Sequence, residues 1–112
     1  MNETGKLYED KAVEYLKGLG YEILERNYTI PCGEIDIIAR DGEYVVFIEV
    51  KYRHNIEFCE PMETITACKL KRITATANHY ISKHGEEDYY RFDAIAFVGE
   101  EIEHIQNISY FE

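Results

Sequence analysis

The stretch Tyr44-Val45-Val46-Phe47-Ile48-Glu49-Val50-Lys51-Tyr52 constrains the fold of this chain more than any other segment. β-Branched and aromatic residues dominate it, so it reads as a central β-strand. Yet Glu49 and Lys51 sit inside it. Positions i and i+2 of a strand face the same way, so the two charges project side by side from one face. Burying a charge without a partner is costly. The pair therefore needs compensation, either as a salt bridge on a half-buried face or as part of a metal site. Spacing alone weighs these two readings equally.

The flanking segments supply the rest of a mixed α/β sheet. Residues 6–19 read as an amphipathic helix with Leu7, Tyr8, Ala12, Tyr15, Leu16 and Leu19 on one arc, ended by Gly18 and Gly20. Glu9 falls on the flank of that arc, one turn before Val13. Tyr21–Tyr28 is a first strand and Pro31-Cys32-Gly33 a turn. Residues 34–39 form a second strand, with Ile35 and Ile37 facing one way and Glu34, Asp36 and Ile38 the other. Asp41-Gly42 is a tight-turn dipeptide, which folds this strand back onto 44–52 as an antiparallel neighbour. Asp36 and Glu49 then fall on facing positions if the turn sets the register accordingly. After a loop from His54 to Met62, a second amphipathic helix runs from about Thr64 to Lys83, capped by Thr64 or Thr66, with Leu70, Ile73, Ala77, Tyr80 and Ile81 on its core face. Strands follow at Tyr90–Val98, with Arg91 and Asp93 on one face, and at Ile102–Ile108. The expected order is αβββαββ, a mixed sheet flanked by helices, in one domain spanning residues 1–112.

The candidate site follows from that layout. Hard divalent cations bind one or two carboxylates and fill their remaining positions with water and substrate phosphate. Asp36 and Glu49 supply two carboxylates, and the Val50 carbonyl a further oxygen. Lys51 would stand beside the attacking water, orienting it or stabilising charge on the phosphate. Glu9 is an outlying member, and taken alone it reads as a solvated helix residue. Lys69 alone reads as a snorkelling flank residue. The four histidines show no metal-ligand spacing, and the ten tyrosines read mostly as core or interface residues rather than as a base-stacking platform.

The run Gly33-Glu34-Ile35-Asp36-Ile37-Ile38-Ala39, followed by Val46-Phe47-Ile48-Glu49-Val50-Lys51-Tyr52-Arg53, resembles the YraN family of predicted endonucleases, within the PD-(D/E)xK superfamily. The likeness extends to Gly5, Glu9 and Ala12, to Asn27-Tyr28, to Lys69 and Arg72-Ile73, and to Arg91-Phe92-Asp93. It implies a restriction-endonuclease-like fold and an endonuclease activity dependent on Mg²⁺ or Mn²⁺. By position, Asp36 and Glu49 would be metal ligands, Lys51 the catalytic lysine, and Glu9 the helical glutamate of resolvase-like branches. Cys59 stands where relatives more often have glycine.

Composition tempers the choice of partner. The formal charge of −10 opposes non-specific binding to a polyanion. The charge is unevenly spread. Residues 51–83 carry six Lys/Arg against three acids, whereas residues 86–112 carry Arg91 alone against eight. Arg53, Lys69 and Arg72 are accordingly the expected contacts to backbone phosphates of a nucleic acid, DNA in the first instance. The rival reading is a non-catalytic nucleic-acid- or protein-binding module that retains the nuclease fold. A homodimer built on exposed tyrosines or a sheet edge is a third. Three cysteines without a CxxC pair read as reduced thiols. With no apolar run of membrane-spanning length and no signal-peptide layout, the expectation is a cytoplasmic protein without a membrane partner.

Overall fold

The computed structural model describes residues 3–53, 67–85 and 89–108. Its elements are α1 (Glu3–Gly18), β1 (Glu22–Ile30), β2 (Gly33–Asp41), β3 (Tyr44–Arg53), α2 (Ala67–His84), β4 (Tyr89–Val98) and β5 (Glu101–Ile105), the order expected from the sequence. The strands form one sheet in the order β1-β2-β3-β4-β5. Every neighbouring pair is antiparallel except β3–β4, which is parallel. A parallel pair needs a crossover, and α2 lies on it.

The β2–β3 hairpin closes at Asp41↔Tyr44, so its two central residues are Gly42 and Glu43 rather than Asp41 and Gly42. Gly42 has φ 60° while Glu43 stays at negative φ. A positive first central residue is the type II′ pattern, which matches the right-handed twist of the flanking strands.

Among the described residues, each face of the sheet carries one helix. Ala12, Val13 and Leu16 of α1 pack with Ile37, Ala39, Val46, Ile48, Ile95 and Phe97. Ile73, Ala77 and Tyr80 of α2 pack with Ile35, Ile38, Val45, Phe47 and Phe92 on the other side. Gly33 lets α2 approach: a Cβ there would stand 2.5 Å from Thr76 Oγ1 and 2.7 Å from the Arg72 carbonyl oxygen. No helix among the described residues is long and apolar enough to cross a membrane.

Several expectations need correction. Leu7 and Leu19, assigned to the core arc of α1, are 50% and 52% exposed. The sheet meets the helix over its middle turns, where Ala12 and Leu16 are fully buried. The last strand ends at Ile105, not Ile108. The loop 54–62, the Thr64 and Thr66 caps, Cys59 and the Leu70 side chain lie outside the described residues. The strict alternation along β2 is also broken. Ile35 packs with Ile38 on the α2 side, while Ile37 packs on the α1 side. The slip occurs at Asp36, which has no ladder partner on β1, opposite Asn27 with φ 53°.

Arg91 and Asp93 do share a face, as expected, and anchor a buried polar network. Asp93 accepts from Arg91 Nε (3.0 Å) and Nη2 (3.2 Å), and from the Asn107 backbone N–H (3.0 Å); His104 Nε2 lies 2.8 Å from it. Arg91 also donates to Tyr21 Oη (2.6 Å) and pairs with Asp41 (2.9 Å). His104, left without a role by its spacing in the sequence, is thus a core partner that fastens β5 to β4.

Candidate functional site

The site lies where the sheet forks. The β2–β3 ladder runs from Asp41↔Tyr44 to Ile37↔Ile48 and ends there. Beyond that point β2 stays with β1 down to Gly33↔Ile30, while β3 stays with β4 up to Arg53↔Val98. The next positions on the parting strands are Asp36 and Glu49. Strand pairing thus sets the facing arrangement that the sequence left open. Parting strands leave backbone groups in need of partners. The Val50 N–H finds one in Asp36 Oδ2, at 2.9 Å.

Glu49 is 8% exposed, and its Oε1 receives two ammonium groups, Lys69 Nζ at 2.8 Å and Lys51 Nζ at 3.5 Å. The expected Glu49–Lys51 neighbours are therefore in contact. Lys69, expected from the sequence as a phosphate contact at the flank of its helix, reaches Glu49 from the first turn of α2. Its ammonium is opposed by burial, but the bonds to Glu49 and Lys51 outweigh that and raise its proton affinity. Lys51 shows the reverse: burial, then the neighbouring Lys69, pulls its proton affinity down despite Glu49.

Asp36 is the least compensated group. Burial and the Glu49 carboxylate, with smaller contributions from Glu9 and Glu34, push its pKa up to about 7 against the favourable bond from the Val50 N–H. Two clefts meet at it. One, of about 960 Å³, passes between the β1–β2 turn and α2 and is lined by Asp36, Glu49, Lys69 and Arg72. The other, of about 360 Å³, opens toward α1 and is lined by Glu9, Asp36, Val50 and Lys51. Arg72 stands exposed at the first rim, and the Arg53 side chain lies outside the described residues.

Glu9 is only 2% exposed, which overturns its reading as a solvated helix residue. Its Oε1 receives Arg26 Nη2 (2.8 Å), Arg26 Nε (3.0 Å) and Asn27 Nδ2 (3.0 Å). Arg26 and Asn27 escaped the sequence analysis as site residues. The available signal was their type, since an Asn inside a strand goes against β-propensity.

Among the described residues, no three His, Cys, Asp or Glu side chains converge as a ready-made metal cage. The donors at the fork fit a hard cation in another way. Two carboxylates with water and substrate oxygen in the remaining positions is the habit of Mg²⁺. Burial and the neighbouring Glu49 carboxylate disfavour the charged form of Asp36, and a cation would offset both.

The family comparison agrees in extent with the earlier likeness. A family model described as "Uncharacterised protein family UPF0102" matches residues 8–97. A UPF0102 protein of Fusobacterium nucleatum is 45% identical over 107 residues, covering 95% of this chain and 90% of that protein. One of Lachnoclostridium phytofermentans is 47% identical over 105 residues, covering 92% and 89%. One of Thermodesulfovibrio yellowstonii is 45% identical over 105 residues, covering 94% of each. The chain belongs to the uncharacterised protein family UPF0102, the YraN family.

Proposed function

We propose that this chain is a cytoplasmic phosphodiesterase that uses a divalent cation, Mg²⁺ or Mn²⁺, to hydrolyse nucleic acid, with DNA the favoured substrate. The observation that carries this reading is the fork itself. Asp36 and Glu49 follow the last β2–β3 pair, and the Lys51 ammonium lies 3.5 Å from Glu49 Oε1 at their side.

Asp36 and Glu49 would hold the cation, with the Val50 carbonyl as a further oxygen. When bound, the cation supplies Lewis-acid polarisation and neutralises phosphate charge. Lys51 Nζ orients the attacking water and donates a hydrogen bond to charge developing on the phosphate. The water oxygen bonds to phosphorus as one P–O ester bond breaks, and the proton the water gives up balances the one taken up by the departing sugar oxygen. Glu9, buried and clamped at Oε1, orients water on the α1 side of the cleft or helps hold a second cation. Arg53, Lys69 and Arg72 meet backbone phosphates, contacts that carry little sequence information.

The compensation of Glu49 by two lysines favours a second reading, a nucleic-acid- or protein-binding module with a closed ionic cluster. Calorimetric titration of Mn²⁺ separates the two. Saturable uptake by the wild type, lost in Asp36→Asn and in Glu49→Gln, supports the enzyme. Equal weak uptake by all three moves the binding module ahead. Lys51→Ala should retain Mn²⁺ binding and lose cleavage altogether. Loss of metal binding in that variant would contradict the separation of roles.

A further inference from the structure

Arg26 and Asn27 are consecutive residues of β1, and consecutive side chains of a strand point to opposite faces. Both nevertheless deliver a side-chain nitrogen to the same atom, Glu9 Oε1. The pleat cannot do this. Asn27 does it by leaving the strand conformation: its φ is 53°, a left-handed value that Asn tolerates and β-branched residues resist.

The same residue marks the break in β2. Arg26 pairs with Ile37 and Tyr28 with Ile35, but Asn27 and Asp36 between them form no ladder pair. Freed there, Asp36 turns its carboxylate to the Val50 N–H across the fork. One left-handed residue thus borders both displacements that build the cleft. It brings two donors onto Glu9 on one strand, and it faces Asp36 as it leaves the ladder on the next.

We propose that Asn27 is a positioning residue of the cleft, whose left-handed backbone and side-chain amide aim Glu9 and Asp36 at a common point between β2 and β3. The proposal rests on reading that cleft as a divalent-cation centre, and it adds what sets the centre's geometry. Groups that orient metal-site carboxylates typically cost about 10-fold or more in metal affinity when removed.

The test is Mn²⁺ calorimetry, with thermal unfolding of each protein, on wild type, Asn27→Gly, Asn27→Val and Glu9→Gln, and on the double variant Asn27→Gly/Glu9→Gln. Glycine keeps the left-handed backbone and removes only the amide, so Asn27→Gly should unfold close to the wild-type temperature. It should still bind Mn²⁺ about 10-fold more weakly. That loss should shrink in the Glu9→Gln background, because the amide acts through Glu9. Asn27→Val, which also opposes the backbone conformation, should lose more. If wild type takes up Mn²⁺ and Asn27→Gly matches it, or if affinity merely follows melting temperature across the set, the positioning role is overturned and the cation centre stands. If wild type itself shows no saturable uptake, the cation centre falls and the proposal falls with it.

Discussion

Asp36 and Asp93 are both aspartates on strands of the same sheet, and their surroundings are opposite. Asp93, 1% exposed, is surrounded by donors: Arg91, His104 and the Asn107 backbone each reach it. Burial pushes its pKa up, but those bonds outweigh burial and hold the carboxyl below its ordinary value. Asp36 has one backbone donor and the carboxylates of Glu49, Glu9 and Glu34 around it, and rises to about 7. A buried acid whose partners are complete strengthens the fold. One crowded by other acids is held at the fold's expense, and such sites are where an external cation has something to gain. The contrast separates the two regions without reference to any relative.

The largest expected effect comes from breaking the satisfied side of the contrast. Asp93→Ala removes a partner shared by Arg91, His104 and the Asn107 N–H, leaving Arg91 only Asp41 and Tyr21 among the partners named, and should lower stability by about 2–4 kcal/mol, read from urea denaturation. A loss below about 1 kcal/mol would put Asp93 on a par with a surface ion pair and remove the contrast.

The unsatisfied side should respond in the other direction. Asp36 keeps its proton in the folded chain up to about pH 7 but ionises near pH 4 when unfolded. The folded state therefore binds more protons between those values, and stability of the metal-free protein declines as pH rises across that window, then levels. Asp93 has the opposite sign, since its stabilisation is present above its unfolded value and fades as pH falls through the lower folded value. Asp36→Asn should flatten the decline and stabilise the metal-free protein at pH 8 by about 1 kcal/mol, while losing Mn²⁺ uptake. Urea midpoints at pH 5, 6, 7 and 8 decide this, and parallel curves for the two proteins would show that Asp36 is not under strain.

The smallest effect sharpens the role of Lys69. Its ammonium, 2.8 Å from Glu49 Oε1 and partly exposed, competes for the oxygen a cation would use. Lys69→Ala should tighten Mn²⁺ binding by about threefold, the weight of a partly exposed ion pair. Weaker binding in that variant would make Lys69 a support of the site instead of a competitor.

Much of the fold was legible because its signals are local. The apolar run 44–52 could hardly be anything but a central strand, and the glycine at 42 marked the turn that folds its neighbour back upon it, one residue off the expected register. Arg91 and Asp93 shared a face because a strand has period two. The slip at Asp36 was not legible, because it depends on a left-handed residue in another strand. Glu9 read as a solvated helix residue because its partners, Arg26 and Asn27, belong to a different element. His104 had no partner nearby in sequence and acquired one only when β5 paired with β4.

The sequence by itself determined the order of elements, the central strand and the residue types gathered around Asp36, Glu49 and Lys51, since periodicity and side-chain chemistry are properties of short segments. Only the tertiary structure decided where β2 and β3 part, that Lys69 lands on Glu49, and that Glu9 is clamped from β1. Those facts depend on strand register and on helices docking across the sheet, and a local pattern carries no record of which distant side chain will fill a gap.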